Sequence, residues 1–167
     1  GRAQELIESG KKIGVEKFIV HSVATKPEQV ESINNFIISA CEKFPQFVGF
    51  ATMHQDYKNY EAELDRVYAA GLRGVKLHPD FQRFQCDMEG MDGLYSKCAA
   101  LNIPVLFHAG DCRYDFSGPA RIAHVMEKHP DLIVIAAHFG GYTEWDKAME
   151  YLVGKNVYFD TSSTLWK

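Results

Sequence analysis

The chain has 167 residues, of which 46% are hydrophobic and 13% aromatic, and its formal net charge is -4 at pH 7. This composition supports a single folded domain, residues 1–167, and excludes a disordered chain. The Lys11 and Lys12 pair is too short a basic run for a nucleic-acid surface or an anionic-membrane site. We therefore expect a small-molecule substrate and no nucleic-acid or membrane partner, and we leave a homo-oligomer open.

The cysteines argue against a disulfide framework. Cys41, Cys86, Cys98 and Cys112 form no Cys-x-x-Cys pair and show no zinc-knuckle spacing, so we expect buried thiols. No apolar run approaches the roughly 20 residues that a membrane helix needs. The first ten residues contain glutamates and do not resemble a signal peptide. A cytoplasmic location is the resulting expectation.

Apolar runs alternate with amphipathic segments along the chain. In chain order the pattern predicts a helix over 3–9, a strand over 18–22, a helix from a proline-containing capping box at 25–28 to about 44, a strand over 47–53, a helix over 57–70, a strand over 74–78, a helix over 91–101, a strand from about 104, a helix over 120–129, a strand over 133–137, a helix over 143–153 and a strand over 157–160.

This alternation predicts an α/β fold with a parallel sheet covered by helices. Two architectures fit: a doubly wound open sheet and a (β/α)8 barrel of the TIM type. Polar residues follow the carboxyl end of strand after strand, which favours the barrel, because barrel sites are built from those ends. An open sheet would concentrate them at one switch point. These residues are His21, His54, His78, His108, His138 and Asp160.

Two histidines are the strongest candidates for chemistry. His108 closes the apolar run NIPVLFHAGD, and His138 closes LIVIAAHFGG before a Gly-Gly pair that serves a tight turn. Rigid donors converging from different strands are what a divalent metal needs. The alternative is a pair of histidines whose hydrogen bonds are satisfied inside the barrel.

Lys76 and His78 alternate with aliphatic residues, so both point to one face of their strand. A lysine inside a barrel would neutralise a substrate carboxylate, be carbamylated between two metals, or pair with a carboxylate such as Asp160. His78 either faces the substrate or caps the next loop. Asp160 either orients a histidine or binds the amides that follow it. Asp111 and Arg113 are candidates for substrate selection.

The motifs GVKLHP, PVLFHAGD, AAHFGG and VYFDTSS, in that order, resemble the amidohydrolase superfamily, in the branch of metal-dependent TIM-barrel hydrolases that also holds aromatic-acid decarboxylases. The resemblance implies a divalent metal, with zinc expected, and a metal ligand at His108. It implies that His138 is a second ligand or a catalytic group facing the substrate. In some members a lysine at the position of Lys76 is carbamylated.

The chain also departs from that family pattern. It contains neither the His-x-His pair of barrel strand 1 nor the metal-binding aspartate of strand 8, so we count six of eight strand-helix units, strands 2 to 7. Asp160 matches strand 7. The chain is either a fragment of a longer protein or a truncated homologue, and we favour a fragment because exposed parallel edges are normally avoided. Alone, it should bind metal weakly and show little activity.

For the intact protein these observations predict a metal-dependent hydrolase of an amide, lactone or related bond. His138, Lys76 and Asp160 are the predicted catalytic residues, and His108 and His138 the predicted metal ligands. Substrate binding is assigned to His78, Asp111 and Arg113. The alternatives are a metal-dependent non-oxidative decarboxylase and a non-catalytic barrel fragment.

Overall fold

The computed structural model describes residues 2–165. Helices and strands alternate through this part of the chain. The α-helices are α1 (Arg2–Lys11), α2 (Val30–Lys43), α3 (Tyr60–Ala69), α4 (Pro79–Gln82), α5 (Asp92–Ala100), α6 (Pro119–Lys128) and α7 (Trp145–Tyr151). The strands are β1 (Phe18–Val20), β2 (Phe47–Gly49), β3 (Ala51–Thr52), β4 (Val75–Leu77), β5 (Val105–Phe107), β6 (Val134–Ala136) and β7 (Tyr158–Phe159). Single-turn 3-10 helices occupy Pro27–Gln29, Glu89–Met91 and His138–Gly140.

The strands pair in the order in which they occur along the chain. β1 pairs with β2, and β3, β4, β5, β6 and β7 form a second sheet in that order, with every pair parallel. In a doubly wound sheet the order of the strands reverses at a switch point, whereas in a barrel each new strand is added on the same side of the previous one. The α/β prediction of TIM-barrel type is therefore confirmed, with six consecutive strand positions among residues 2–165.

One predicted strand, 47–53, is divided at Phe50. Its first part, β2, pairs with β1, and its second part, β3, pairs with β4. The wall remains continuous through the division, because the Phe50 amide donates to the carbonyl of Val20 at 2.9 Å and the Ala51 amide to that of Gly74 at 2.8 Å.

Two helix starts differ from prediction because local hydrogen bonds and backbone geometry override the apolar pattern. The Tyr57 amide donates to the His54 carbonyl and closes a turn over residues 54–57. A second turn follows at residues 58–59, so α3 begins at Tyr60. Thr143 has φ 61°, which no α-helix contains, so α7 begins at Trp145. At the start of α2, Gln29 rather than the predicted Glu28 reaches back, and its Oε1 accepts from the amides of Thr25 and Lys26.

The main core lies between the helices and the outer face of the wall. Strand residues that alternate along β4 and β5, such as Val75, Leu77, Val105 and Phe107, are fully buried in it. Successive side chains of a strand point to opposite faces of the sheet. The strand residues between these core positions therefore point to the inner face of the wall. The fold therefore separates the hydrophobic core on the outer face of the wall from the inner face, which can carry functional side chains.

The inner face carries a layer that includes Lys76, Leu106, Ile135 and Tyr158, which are paired in register across β4 to β7. Leu106 packs with Phe50 in a small separate apolar cluster. At the two ends of the described wall this face is uncovered. Ile19 on β1 is 54% exposed and Tyr158 on β7 is 63% exposed, although a closed barrel buries such positions.

The cysteine expectation holds in part. The structure has free thiols at all four positions, and Cys86 and Cys98 are buried, where desolvation raises the pKa of Cys98 to about 12. Cys41 is half-buried, and Cys112, in the loop after β5, is exposed, so the prediction of a buried thiol is wrong for Cys112. Among residues 2–165, no helix has the length and apolar character needed to cross a membrane.

A buried asparagine joins the wall to two helices. Asn34 of α2 accepts from the amide of Thr52 at 2.8 Å and donates to the Thr52 carbonyl at 3.2 Å. The side-chain nitrogen of Asn34 also donates to the carboxylate of Glu63 at 2.8 Å. Glu63 lies in α3 and forms an ion pair with Arg66 of that helix. The Asn34 side chain satisfies the backbone of β3 and a buried carboxylate at once.

Asn34→Ala is predicted to destabilise the fold by about 2–3 kcal/mol, because it leaves the Thr52 amide and part of the Glu63 carboxylate buried without partners. Urea unfolding monitored by circular dichroism gives the free energy of unfolding. Asn35→Ala is the matched control, since Asn35 is the next residue of α2 and is exposed. Equal free energies for the two variants would contradict the bridging role.

Lys76 is predicted to destabilise the fold at neutral pH, because burial lowers its pKa to about 8, an effect that the charge of Asp160 only partly offsets. Between pH 8 and the ordinary value of 10.5 the unfolded chain binds more protons than the folded chain, so stability should rise with pH across this window. Lys76→Met should remove this dependence and gain about 3 kcal/mol at pH 7.

Urea unfolding of both proteins between pH 7 and 10.5 measures the effect. Lys58→Met, at a solvent-exposed lysine, serves as the control and should retain the wild-type pH dependence. A stability difference between wild type and Lys76→Met that stays constant over this range would show that Lys76 is not desolvated.

Candidate active site

The carboxyl ends of four neighbouring strands bring polar side chains to one edge of the wall. His78 follows β4, His108 follows β5, His138 follows β6 and Asp160 follows β7. Beside this edge lies a cleft of about 640 Å³. The cleft is lined by histidines, carboxylates, arginines, aromatic rings and one threonine: Thr25, His78, Asp80, Phe81, Arg83, His108, Asp111, Arg113, Tyr114, Phe116 and Tyr142.

His138 lies on a strained turn. Its φ is 58°, and Phe139 and Gly140 follow with φ of 53° and 80°, so three consecutive residues occupy the left-handed region. Such a conformation costs about 1–2 kcal/mol per non-glycine residue, and it confirms the tight turn predicted at the Gly-Gly pair. Asp160 holds the turn, because its carboxylate accepts from the His138 amide at 3.0 Å and its carbonyl accepts from the Phe139 amide at 2.8 Å.

A chain of hydrogen bonds runs from Asp160 to His108. The Ser162 hydroxyl donates to Asp160 at 2.6 Å, so its oxygen is left as an acceptor for His138 Nδ1 at 2.9 Å. The Ser162 carbonyl oxygen also lies 2.8 Å from that nitrogen. His138 Nδ1 therefore carries a hydrogen. With His138 neutral, Nε2 accepts, and its partner is His108 Nδ1 at 3.0 Å.

This chain fixes which nitrogen of His108 is free. Because Nδ1 donates to His138, Nε2 of the neutral ring keeps its lone pair. The ring is neutral because burial, followed by the nearby His138 and Lys76, lowers the pKa of His108 to about 4. His108 Nε2 lies 3.7 Å from Oδ2 of Asp80. The unprotonated nitrogen and the carboxylate thus face each other at the cleft.

Asp80 is the carboxylate that the sequence analysis missed. Its side chain is 3% exposed; Oδ2 accepts from the Ser117 hydroxyl, and Oδ1 has no hydrogen-bond partner among the described residues. Burial raises the pKa of Asp80 against the effect of the Ser117 hydrogen bond, and the charges of Asp111 and Glu144 raise it further. A buried oxygen without a partner is costly, which makes it available to a ligand.

His78 adopts the loop-capping role that was one of its two predicted readings. Its Nδ1 accepts from the Phe81 amide at 3.3 Å, at the start of α4. The ring stacks between Phe81 and His108, at centroid distances of 3.8 and 3.9 Å. Burial, then His108 and Lys76, lowers the pKa of His78 to about 3, so Nε2 carries the hydrogen of the neutral ring. Its substrate-binding role stays a prediction.

His78, Asp80 and His108 each place a potential ligand atom within 4.8 Å of the others. The hydrogen bonds discriminate among these atoms. His108 Nε2 and Asp80 Oδ1 are free to bind a cation, whereas both nitrogens of His138 are engaged and Nε2 of His78 is protonated. Metal binding by His138 stays a prediction, and it requires breaking the bond to His108.

Lys76 and Asp160 interact across the inner face. The charge of Asp160 raises the pKa of Lys76 against the larger effect of burial. Burial would raise the pKa of Asp160, but hydrogen bonds from Ser162 and from the His138 amide hold it below its ordinary value. Pairing of the lysine with this carboxylate was one of the predicted alternatives, and the two charges are close enough to interact.

Asp111 and Arg113 lie together at the mouth of the cleft. Arg113 forms a bidentate pair with Asp111, with Nη2 at 2.6 Å and Nε at 2.9 Å from the carboxylate. The hydrogen bond from Arg113 lowers the pKa of Asp111. The Asp111 amide donates to Glu144 at 3.3 Å, which ties the loop after β5 to the segment before α7.

Sequence reasoning missed Asp80 because it lies beyond Pro79, where the strand pattern ends. The residues 79–82 form the short helix α4, which turns the aspartate back toward the strand edge. A carboxylate two positions after a strand-end histidine was the available signal. Two further histidines lie away from this edge: His124 and His129 bind Asp87 and Asp92 at 2.9 and 2.8 Å.

Solved structures of similar fold include enzymes of two reaction types. A probable 2-pyrone-4,6-dicarboxylic acid hydrolase from Acinetobacter baumannii superposes with a TM-score of 0.69 at 17% identity, over 96% of this chain and 60% of that chain. A 5-carboxyvanillate decarboxylase from Novosphingobium aromaticivorans, complexed with manganese, superposes with a TM-score of 0.67 at 19% identity, over 81% of this chain and 49% of that chain.

The chain therefore spans only about half to three fifths of the length of these proteins. At such identities the likeness shows the fold alone. No curated protein sequence is significantly similar to this chain. The family assignment comes instead from the sequence, which matches the amidohydrolase family over residues 13–166. With nearly the whole chain covered and a barrel wall carrying histidines at its carboxyl edge, this chain belongs to the amidohydrolase family.

Proposed function

We propose that the protein is a metal-dependent hydrolase that opens an amide, lactone or related bond of a small molecule. The observation that carries the proposal is the pair formed by His108 Nε2 and Asp80, an unprotonated nitrogen facing a buried carboxylate at the edge of the cleft. The pair lies at the carboxyl ends of the strands, where barrel enzymes have their active sites.

The donor atoms fit a divalent cation. A neutral imidazole nitrogen and a carboxylate oxygen suit zinc and manganese, and Asp80 Oδ1 has no competing partner among the described residues. We propose zinc, held by His108 and Asp80. When bound, the ion polarises a substrate carbonyl and lowers the pKa of a water molecule. Since two protein ligands are few, binding to this chain alone should be weak, as the sequence predicts.

The lining of the cleft supports a cyclic or aromatic acid as substrate. Arg83 supplies a guanidinium group, as does Arg113, which is paired with Asp111, and Tyr114, Phe116 and Tyr142 supply ring surfaces. Guanidinium groups bind carboxylates and rings stack on planar ligands. The named relatives are associated with such acids, 2-pyrone-4,6-dicarboxylic acid and 5-carboxyvanillate. His78 would contribute its Nε2 hydrogen to the same ligand.

The inner-face residues would handle protons and charge. Lys76, with its pKa lowered to about 8 chiefly by burial, retains a positive charge at neutral pH that would neutralise a substrate carboxylate. The same lowered pKa leaves a neutral fraction that carbamylation requires. His138, oriented by Asp160 and Ser162, would exchange a proton with the reacting group through its Nε2, which must first separate from His108 Nδ1.

A decarboxylase is the second candidate. The arginines and aromatic rings that line the cleft suit an aromatic carboxylate equally well, and several structures of similar fold are decarboxylases. In this case the metal would bind substrate oxygens, and His138 would supply a proton to the ring carbon of the substrate. The two reactions release different products and are therefore separable by assay.

Cation binding at His108 and Asp80 is testable by nuclear magnetic resonance. Mn²⁺ added to ¹⁵N-labelled protein should broaden amide signals around His108 and Asp80 first. His108→Gln and Asp80→Asn should each weaken this binding by at least about ten-fold, because even the loss of a residue that only supports a ligand costs that much. His124→Gln, at an exposed histidine, is the control. If Mn²⁺ broadens the same signals equally in the wild type and in both variants, His108 and Asp80 do not form the cation site.

The reaction type is testable with the full-length protein. Incubation with 2-pyrone-4,6-dicarboxylic acid should consume the lactone without release of carbon dioxide, and 5-carboxyvanillate should not react. His138→Gln should lower kcat by about 10²–10⁴-fold, as expected for loss of a general acid-base group, and His124→Gln should retain activity. Carbon dioxide release from either acid would overturn the hydrolase proposal in favour of the decarboxylase.

A further inference from the structure

We propose that Ser162 is a positioning residue that sets the tautomer of both His138 and His108, and so determines which nitrogen His108 presents to the cleft. The tautomer assignment rests on the hydrogen bonds alone. Its consequence for cation binding rests on the proposed function.

The Ser162 hydroxyl differs from a water molecule in one respect. Its hydrogen is committed to Asp160, at 2.6 Å, so toward His138 Nδ1 its oxygen acts only as an acceptor, at 2.9 Å. A water molecule at that position would donate as readily as it accepts, and would itself favour neither tautomer. Because the Ser162 side chain is exposed, water is the natural substitute for it.

Asp160 supplies the constraint on the serine. Its Oδ1 also accepts from the Ser162 amide at 2.9 Å and from the His138 amide at 3.0 Å, so one carboxylate oxygen anchors both the serine and the histidine. With the Ser162 hydroxyl, three donors are directed at this one oxygen, which therefore acts as an acceptor and fixes the direction of the chain of hydrogen bonds at this end.

The effect reaches His108 through the hydrogen bond between the two histidine rings. When His138 Nδ1 carries the hydrogen, its Nε2 accepts from His108 Nδ1 at 3.0 Å, and His108 Nε2 is left unprotonated toward Asp80. Reversal of the His138 tautomer would require His108 Nδ1 to accept. His108 Nε2 would then carry the hydrogen and lose its capacity to bind a cation. The two rings must therefore change together.

The Ser162 carbonyl, 2.8 Å from His138 Nδ1, favours the same tautomer. Ser162→Ala keeps this carbonyl and removes only the hydroxyl. We expect the reversed tautomer to increase about five-fold relative to the wild type at both histidines, which corresponds to the loss of one hydrogen bond. Ser162→Thr restores the hydroxyl and should restore the wild-type tautomer. The same loss should weaken Mn²⁺ binding by up to a similar factor.

The measurement is a long-range ¹H–¹⁵N correlation spectrum of the histidine rings in metal-free protein, which distinguishes protonated from unprotonated ring nitrogens. His108→Gln and His138→Gln assign the signals by their disappearance. The wild type should show Nδ1 protonated and Nε2 unprotonated at both rings. Thermal unfolding checks that Ser162→Ala is folded; a small change is expected at an exposed position.

Thr161→Val is the matched control, because it removes a neighbouring exposed hydroxyl outside this chain of hydrogen bonds, and it should leave both rings unchanged. A protonated Nε2 on His108 in the wild type would overturn the assignment. Identical ring spectra for wild type and Ser162→Ala, or an equal effect of Thr161→Val, would overturn the role of Ser162. Loss of Mn²⁺ binding with wild-type ring spectra would overturn only the proposed metal site.

Discussion

The parallel register of β4 to β7 is the constraint on which the site depends. Since these strands run in one direction and pair in chain order, the residue after each strand arrives at the same edge. Adjacent strands are about 4.8 Å apart, and the register pairs Phe107 with Ala136, so His108 and His138 follow neighbouring strand ends. The left-handed turn at His138 then brings the two rings into hydrogen-bonding contact, with 3.0 Å between their ring nitrogens. The fold brings the groups together, and hydrogen bonds then decide which of their atoms are available.

Burial and charge keep the site in a defined protonation state. Desolvation lowers the pKa of His78, His108 and Lys76, and it raises that of Asp80. The two histidines are thereby neutral at physiological pH and able to act as ligands or hydrogen-bond partners. The buried lysine and aspartate groups and the left-handed turn at His138 lower the stability of the folded state, a cost that is common at functional sites.

The sequence was sufficient for the fold class and for the edge at which chemistry occurs, because apolar runs ending in histidine are a property of each strand separately. It located His108, His138 and Asp160 at strand ends for the same reason. Asp80 was missed, since its position at the strand edge depends on the turn of α4 around Pro79. The acceptor role of Ser162 was likewise invisible, because it depends on the direction of a hydrogen bond to Asp160 rather than on residue type.

The central claim is that His108 Nε2 and Asp80 together bind a divalent cation. A crystal of the protein soaked in zinc, measured at the zinc absorption edge, tests it most directly. The account predicts an anomalous peak at about 2.0–2.2 Å from both His108 Nε2 and an Asp80 oxygen. A peak that touches neither residue, or no peak in this cleft at saturating zinc, would contradict it.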